Sequence, residues 1–249
     1  MSRFFIESGH NEEGMKHKSC FYNFLQVFSN GLIFMKKFFT SVPFQSVLTN
    51  IVYKPVGGAP LAYDKTHSLP ILNVINNCTT KGEEIEVIFL VGDNENIRKN
   101  LEIVEQSLDE LVTERELKCR KIYIEYPDSD DISVMLELYG KLIRLCEDND
   151  EIYSCITFGT KPVPLVQMMA MRYAYHAKKN VFIGMIVYGK AHGKMKEING
   201  IRKYVTDNAE IYDMTSMFYM DELSERFCRM GIENPEEKIA GMISKTEGF

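Results

Sequence analysis

From Met35 onward, short apolar runs alternate with longer stretches in which apolar residues recur every three or four positions. The runs predict strands and the stretches predict amphipathic helices. Met35-Lys36-Lys37-Phe38-Phe39-Thr40-Ser41 reads as a first strand, two lysines leading into a buried segment. Residues 50–65 read as a β-hairpin, with Ile51-Val52-Tyr53 and Leu61-Ala62-Tyr63 flanking a turn of Pro55, Gly57, Gly58 and Pro60. Residues 67–78 follow as a helix. Ile85-Glu86-Val87-Ile88-Phe89-Leu90-Val91 is a strand apolar on both faces, and residues 94–116 a long helix with Ile97, Leu101, Val104, Leu108 and Leu111 on one side. Strands at 121–126, 151–157 and 180–188 then alternate with helices at 131–147 and 162–177. Residues 210–213 form a last short strand, and helices at 216–230 and 235–244 close the chain, Pro235 suiting a first helical turn.

Strand–helix alternation of this kind defines an α/β protein: a Rossmann-like, mainly parallel sheet with helices on both faces, plus a β-hairpin insertion after the first strand. Ligands of such folds gather at loops beyond the carboxyl ends of the strands. That rule points to residues 40–45, 92–96, 127–131, 158–164 and 188–192. Residues 1–34 have a different texture, polar and then irregularly aromatic, and read as an N-terminal extension, with Met35 as an alternative start. The domain is expected over 35–213, with 214–249 as C-terminal helices that pack on it or extend it.

Composition narrows the function classes. The 29 Lys and Arg against 35 Asp and Glu give a net charge of −6, which removes a broad basic surface for duplex nucleic acid and leaves room only for a local basic pocket. The six cysteines stand singly, with no paired spacing for zinc or a disulfide framework, which fits a reducing cytoplasm. The apolar stretch 21–34 is broken by polar residues and falls short of a membrane span; glutamates ahead of it do not suit a secretory signal.

The loop most suited to chemistry is Ile156-Thr157-Phe158-Gly159-Thr160-Lys161-Pro162-Val163-Pro164. A buried strand ends there, a glycine permits a tight turn, and a hydroxyl and an ammonium stand at the mouth of a helix whose N–H groups attract anions. A capped helix with a solvated lysine is the competing reading. Thr40, Ser41, Phe44 and Gln45, after the first strand, offer hydroxyls, an aromatic ring and an amide; an inert strand-end serine is the plain alternative. Neither a Walker loop nor a G-x-G-x-x-G dinucleotide fingerprint is present, and no G-x-S-x-G elbow surrounds Ser41. Arg172-Tyr173-Ala174-Tyr175-His176 has one residue too few between Arg and His for a HEPN ribonuclease, and packing is the favoured reading. Asp128, Asp130 and Asp131 suit an acidic helix N-terminus better than a metal site. The sequence calls for no metal and no cofactor.

Three segments in order carry a resemblance: 156–165, then Ile186-Val187-Tyr188-Gly189-Lys190, then Ile211-Tyr212-Asp213-Met214-Thr215, all after a strand that ends Thr40-Ser41. Together they resemble the CARF domains of CRISPR-associated proteins, in the branch with an Asp-x-Thr-His-Gly type motif. The likeness spans roughly residues 35–227. Ser154 or Cys155 stands near the motif's Asp and Phe158 where His is common, while Gly-Thr-Lys matches a frequent variant.

The resemblance implies a homodimer that binds a cyclic oligoadenylate second messenger across its two-fold axis, in type III CRISPR antiviral defence. Thr160 and Lys161 then match the contacts to the ligand backbone, Ser41 matches the loop after the first strand, and Gly159 and Gly189 join the expected ligand-binding residues. Phe44, Phe158 and Tyr188 would wall the adenines. About 35 residues follow Asp213, too few for a separate nuclease. Similar stand-alone forms include ring nucleases, which cut the messenger without metal by in-line attack of a ribose 2′-OH. Lys161 would steady the charge that develops on phosphorus, with Ser41 and Thr160 orienting ribose and phosphate. A binding-only sensor that signals through its terminal segments is the alternative. An unrelated nucleotide enzyme is third.

Overall fold

The first strand lies in the middle of the sheet, with strands from far downstream on either side. In the computed structural model, which describes residues 34–246 except 47, 199 and 200, β1 (Met35–Ser41) pairs in parallel with β3 (Glu84–Gly92) and with β5 (Asp150–Cys155). Outward from β3 lies β4 (Lys118–Tyr126), and outward from β5 lies β6 (Phe182–Ile198), both parallel. β7 (Ile201–Asp213) returns antiparallel to β6, and a short β2 (Tyr53–Pro55) pairs with β7 at the edge. The seven strands run β2-β7-β6-β5-β1-β3-β4. The Rossmann-like α/β architecture is therefore present, and from Met35 onward the described residues form one compact unit. Apart from Phe34, the extension expected over 1–34 lies outside the described residues.

Period-2 alternation splits the core into two layers. One face of β1, β3 and β5 presents Phe38, Val87, Phe89, Tyr153 and Cys155 to α1 (Ile71–Cys78) and α2 (Glu95–Glu114). The other presents Phe39, Ile88, Leu90 and Ile152 to α3 (Ile132–Leu145), α4 (Pro162–Ala177) and α5 (Thr215–Arg229). α6 (Pro235–Thr246) follows. No described helix is long and apolar enough to cross a membrane.

The expected hairpin does not form. Tyr53–Pro55 joins β7 instead, and residues 61–63 are not a strand. Leu61 is fully buried, and its carbonyl accepts from the Nδ2 of buried Asn73 at 2.8 Å, while Asn77 Nδ2 donates to the Ala62 carbonyl at 2.9 Å. Side-chain amides on α1 thus satisfy the groups a partner strand would have satisfied. A single antiparallel bridge, Ile51 to His67, closes the excursion. The helix expected from residue 67 begins at Ile71, because Pro70 disfavours helical backbone in the residue before it. The short strand at 210–213 and the loop expected at 188–192 are corrected together. Both belong to the long β6–β7 pair, which continues beyond the carboxyl edge of the parallel sheet.

At the opposite, amino-terminal edge the two lysines that open β1 become structural. Lys37 is 1% exposed; its Nζ lies 3.0 Å from Asp150, 2.9 Å from Glu147 and 3.8 Å from Glu86, and donates to the Leu145 carbonyl at 2.6 Å. Its hydrogen bond, and then its charge, hold the Glu147 carboxyl below the usual range, while burial still raises that of Asp150.

Candidate functional site

Strand order reverses between β1 and β5: from β1 the chain moves outward through β3 and β4, then returns to build β5 and β6 on the other side. The crevice at the carboxyl ends of β1 and β5 is the topological switch point, where open α/β sheets bind ligands. Thr40 pairs with Cys155, so the two loops singled out in the sequence leave the sheet side by side.

Gly159 turns the second loop with φ of +96°, a conformation L side chains rarely adopt. A Cβ there would lie 3.0 Å from Val163 and 3.2 Å from Ser41 Oγ, so the loop folds down onto Ser41. Ser41 is 1% exposed and its hydroxyl has no hydrogen-bond partner among the described residues. A buried hydroxyl left open is costly, and sites that await a ligand are one reason it persists.

Helix α4 supplies fewer donors than its sequence position suggests. Pro162 and Pro164 have no N–H, and Val163 N–H is spent on the Thr160 carbonyl at 2.9 Å. Among the described residues, the amides of Phe158, Gly159, Thr160 and Lys161 donate to no protein acceptor. The element suited to an anion is this run of loop amides, with the exposed Lys161 side chain beside it, rather than the helix end.

The remaining predicted residues divide. Phe44, at 47% exposure, and Gln45 stand open to solvent on the neighbouring loop. Tyr188 is also exposed, but it lies within β6, its ring 6.4 Å from that of Tyr212. Phe158 is partly buried against the α1/α2 core layer. Thr40 is fully buried, its hydroxyl donating to the Ser41 carbonyl at 3.4 Å. Gly189 is explained by packing: a Cβ would fall 2.4 Å from Pro70, and its N–H donates to Thr157 Oγ1 at 2.7 Å.

The supporting roles of two residues, Thr157 and Asn100, escape sequence reasoning. Thr157 Oγ1 accepts from both Gly189 N–H and the Cys155 thiol, tying the loop to β6. Buried Asn100 of α2 donates to the carbonyls of Pro43 and Gln45 at 2.8 and 2.9 Å, fixing the loop after β1. Its signal is a polar residue on the apolar stripe, between Ile97 and Val104. Asp213 and Thr215 are structural: Asp213 accepts from Thr215 N–H at 2.9 Å, and Thr215 Oγ1 accepts from Ile186 N–H at 2.9 Å, which docks α5 on β6.

Arg172 and His176 also serve docking. Arg172 pairs with Asp221, Glu222 and Glu225 of α5, and His176 Nε2 lies 2.8 Å from buried Glu222. His176, Glu222 and Glu225 are close enough to share a metal ion, but guanidinium groups already occupy both Glu225 oxygens. No family model matches the chain, and no curated protein is similar to it.

Proposed function

We propose that this chain binds a cyclic oligoadenylate, most readily cyclic tetra-adenylate, and cleaves it as a metal-independent ring nuclease in type III CRISPR defence. The observation that carries the reading is the Ser41 hydroxyl beneath four loop amides and Lys161 at the switch point, the hydroxyl and the amides all without partners among the described residues. Such a cradle suits a phosphodiester, and the open faces of Phe44 and Tyr188 suit stacked bases. The amides and Lys161 favour charge on phosphorus, and Ser41 orients the neighbouring ribose. The homodimer that the resemblance implies is assigned to the apolar face of α3 and α4, where Ile132, Leu136, Leu165 and Met169 are exposed.

One observation favours the binding-only alternative: neither loop of the cradle carries a histidine or carboxylate to take the 2′ proton. The test incubates purified protein with cyclic tetra- and hexa-adenylate in EDTA, reading binding, linear product and, by light scattering, the dimer. Lys161→Ala should slow cleavage about 100-fold. Binding without linear product leaves the sensor, and no binding to either ring rejects both readings.

A further inference from the structure

Beyond the carboxyl edge of the sheet, the β6–β7 pair carries a side-chain cluster that the cradle does not use. His192 Nε2 lies 2.8 Å from Glu210 Oε2, and the same oxygen accepts from the Tyr212 hydroxyl at 2.5 Å. The ladder register shifts between His192 and Gly193, a bulge of the sort that re-aims side chains beside active sites. His192 is 36% exposed, so its ring is held on one side and open on the other.

Alternation fixes which face this is. Ile186 lies in the α4-side core layer, as do Phe39 of β1 and Val163 at the start of α4, while Val187, Ala209 and Ile211 lie in the opposite one. Tyr188, Lys190 and His192, with Glu210 and Tyr212, therefore share the face of Ser41 and the start of α4. Gly189 is bonded to Thr157 at the base of the cradle, and His192 is three residues further out, about 10 Å at strand rise. A ring of several nucleotides seated on the cradle spans that distance.

We infer that His192 is the general base for cleavage of the bound ring, with Glu210 as its positioning residue and Tyr212 holding that carboxylate. This rests on the cyclic-oligoadenylate reading. Glu210 accepts at Nε2, so the neutral ring carries its proton there and leaves Nδ1 bare. Nδ1 removes the 2′-OH proton; the 2′ oxygen forms a bond to the adjacent phosphorus and the P–O5′ bond breaks. The imidazolium returns the proton through water to the departing 5′ oxygen, giving a 2′,3′-cyclic phosphate and a 5′-hydroxyl. The titratable groups around His192 are Glu210 and Tyr212 from β7, Lys190 and Lys194 from its own strand, and Lys54 of β2, which pairs in register with Glu210. The Tyr212 hydrogen bond and then His192 hold the Glu210 carboxyl below its usual range, which suits it to accept from the ring.

The test measures cyclic tetra-adenylate binding and cleavage in EDTA from pH 5 to 8. His192→Asn should lower the cleavage rate about 100-fold or more, change ring affinity less than about threefold, and abolish the acidic limb of the pH–rate profile. Glu210→Gln should lower the cleavage rate about tenfold with ring affinity kept, Glu210→Asp should recover part of that rate, and this pair carries the test if the first variant does not fold. A wild-type rate or an intact limb in His192→Asn overturns the inference alone and leaves ring binding standing. Ring binding without wild-type cleavage overturns it together with the nuclease reading, and absence of ring binding overturns the whole proposal.

Discussion

At the scale of single residues, Lys37 shows how much one side chain can commit. Its ammonium is the shared partner of Asp150, Glu147 and Glu86 in a region where Asp150 and Glu86 are almost wholly buried. Removing the cation leaves buried carboxylates uncompensated, which costs more than the intact pairs contribute. Lys37→Met should lower unfolding free energy by about 3–5 kcal/mol, read from urea midpoints at pH 7. Exposed pairs such as Lys99 with Glu95 have no such leverage, because water screens both partners. Gly159 commits the backbone in a comparable way: its positive φ and the atoms around its missing Cβ leave the turn one residue type.

At the scale of elements, the parallel strands and their helices were legible because each is long and strongly patterned. Ile85 to Val91 is apolar on both faces, and the α2 stripe repeats at helical spacing. The hairpin expectation fails even though its turn signals are real: Gly57 and Gly58 do turn the chain with positive φ. What the pattern could not reveal is that Asn73 and Asn77 would satisfy the second arm from a helix. The β6–β7 extension did carry a signal, since Lys190, His192, Lys194 and Lys196 alternate with Ala191, Gly193 and Met195. The site divides the same way. Ser41 and Gly159 to Lys161 follow from strand ends, whereas the His192–Glu210 contact depends on a bulge in register. Asn100 belongs to this scale, because it joins α2 to the loop after β1. Asn100→Ala leaves the Pro43 and Gln45 carbonyls without their donor and should cost about 1–3 kcal/mol. Amide hydrogen exchange at residues 44–46 should rise while β3 stays protected.

At the scale of the whole molecule, His67 couples stability to pH. Its ring is buried between Tyr53 and Tyr63, and burial pushes its pKa from 6.5 down to about 4. The folded protein therefore disfavours the protonated form. Its contribution is complete above pH 6.5, erodes as pH falls, and is lost below about 4, a difference of about 3 kcal/mol. His67→Phe keeps an aromatic ring between the tyrosines and should remove that part of the pH dependence; urea titrations at pH 7.5 and 4.5 measure the difference.

The position of β1 also bears on how the molecule comes to exist in time. Lys36 pairs with Ile85 on one side and Glu151 on the other, so the central strand makes no local contact within the sheet. Chain synthesis must deliver residues 150–155 before the seam between β1 and β5 can close, and pairings so distant in sequence form slowly. The cradle stands on that seam. The cradle is thus completed late in folding, by a protein whose first strand has waited for its neighbours.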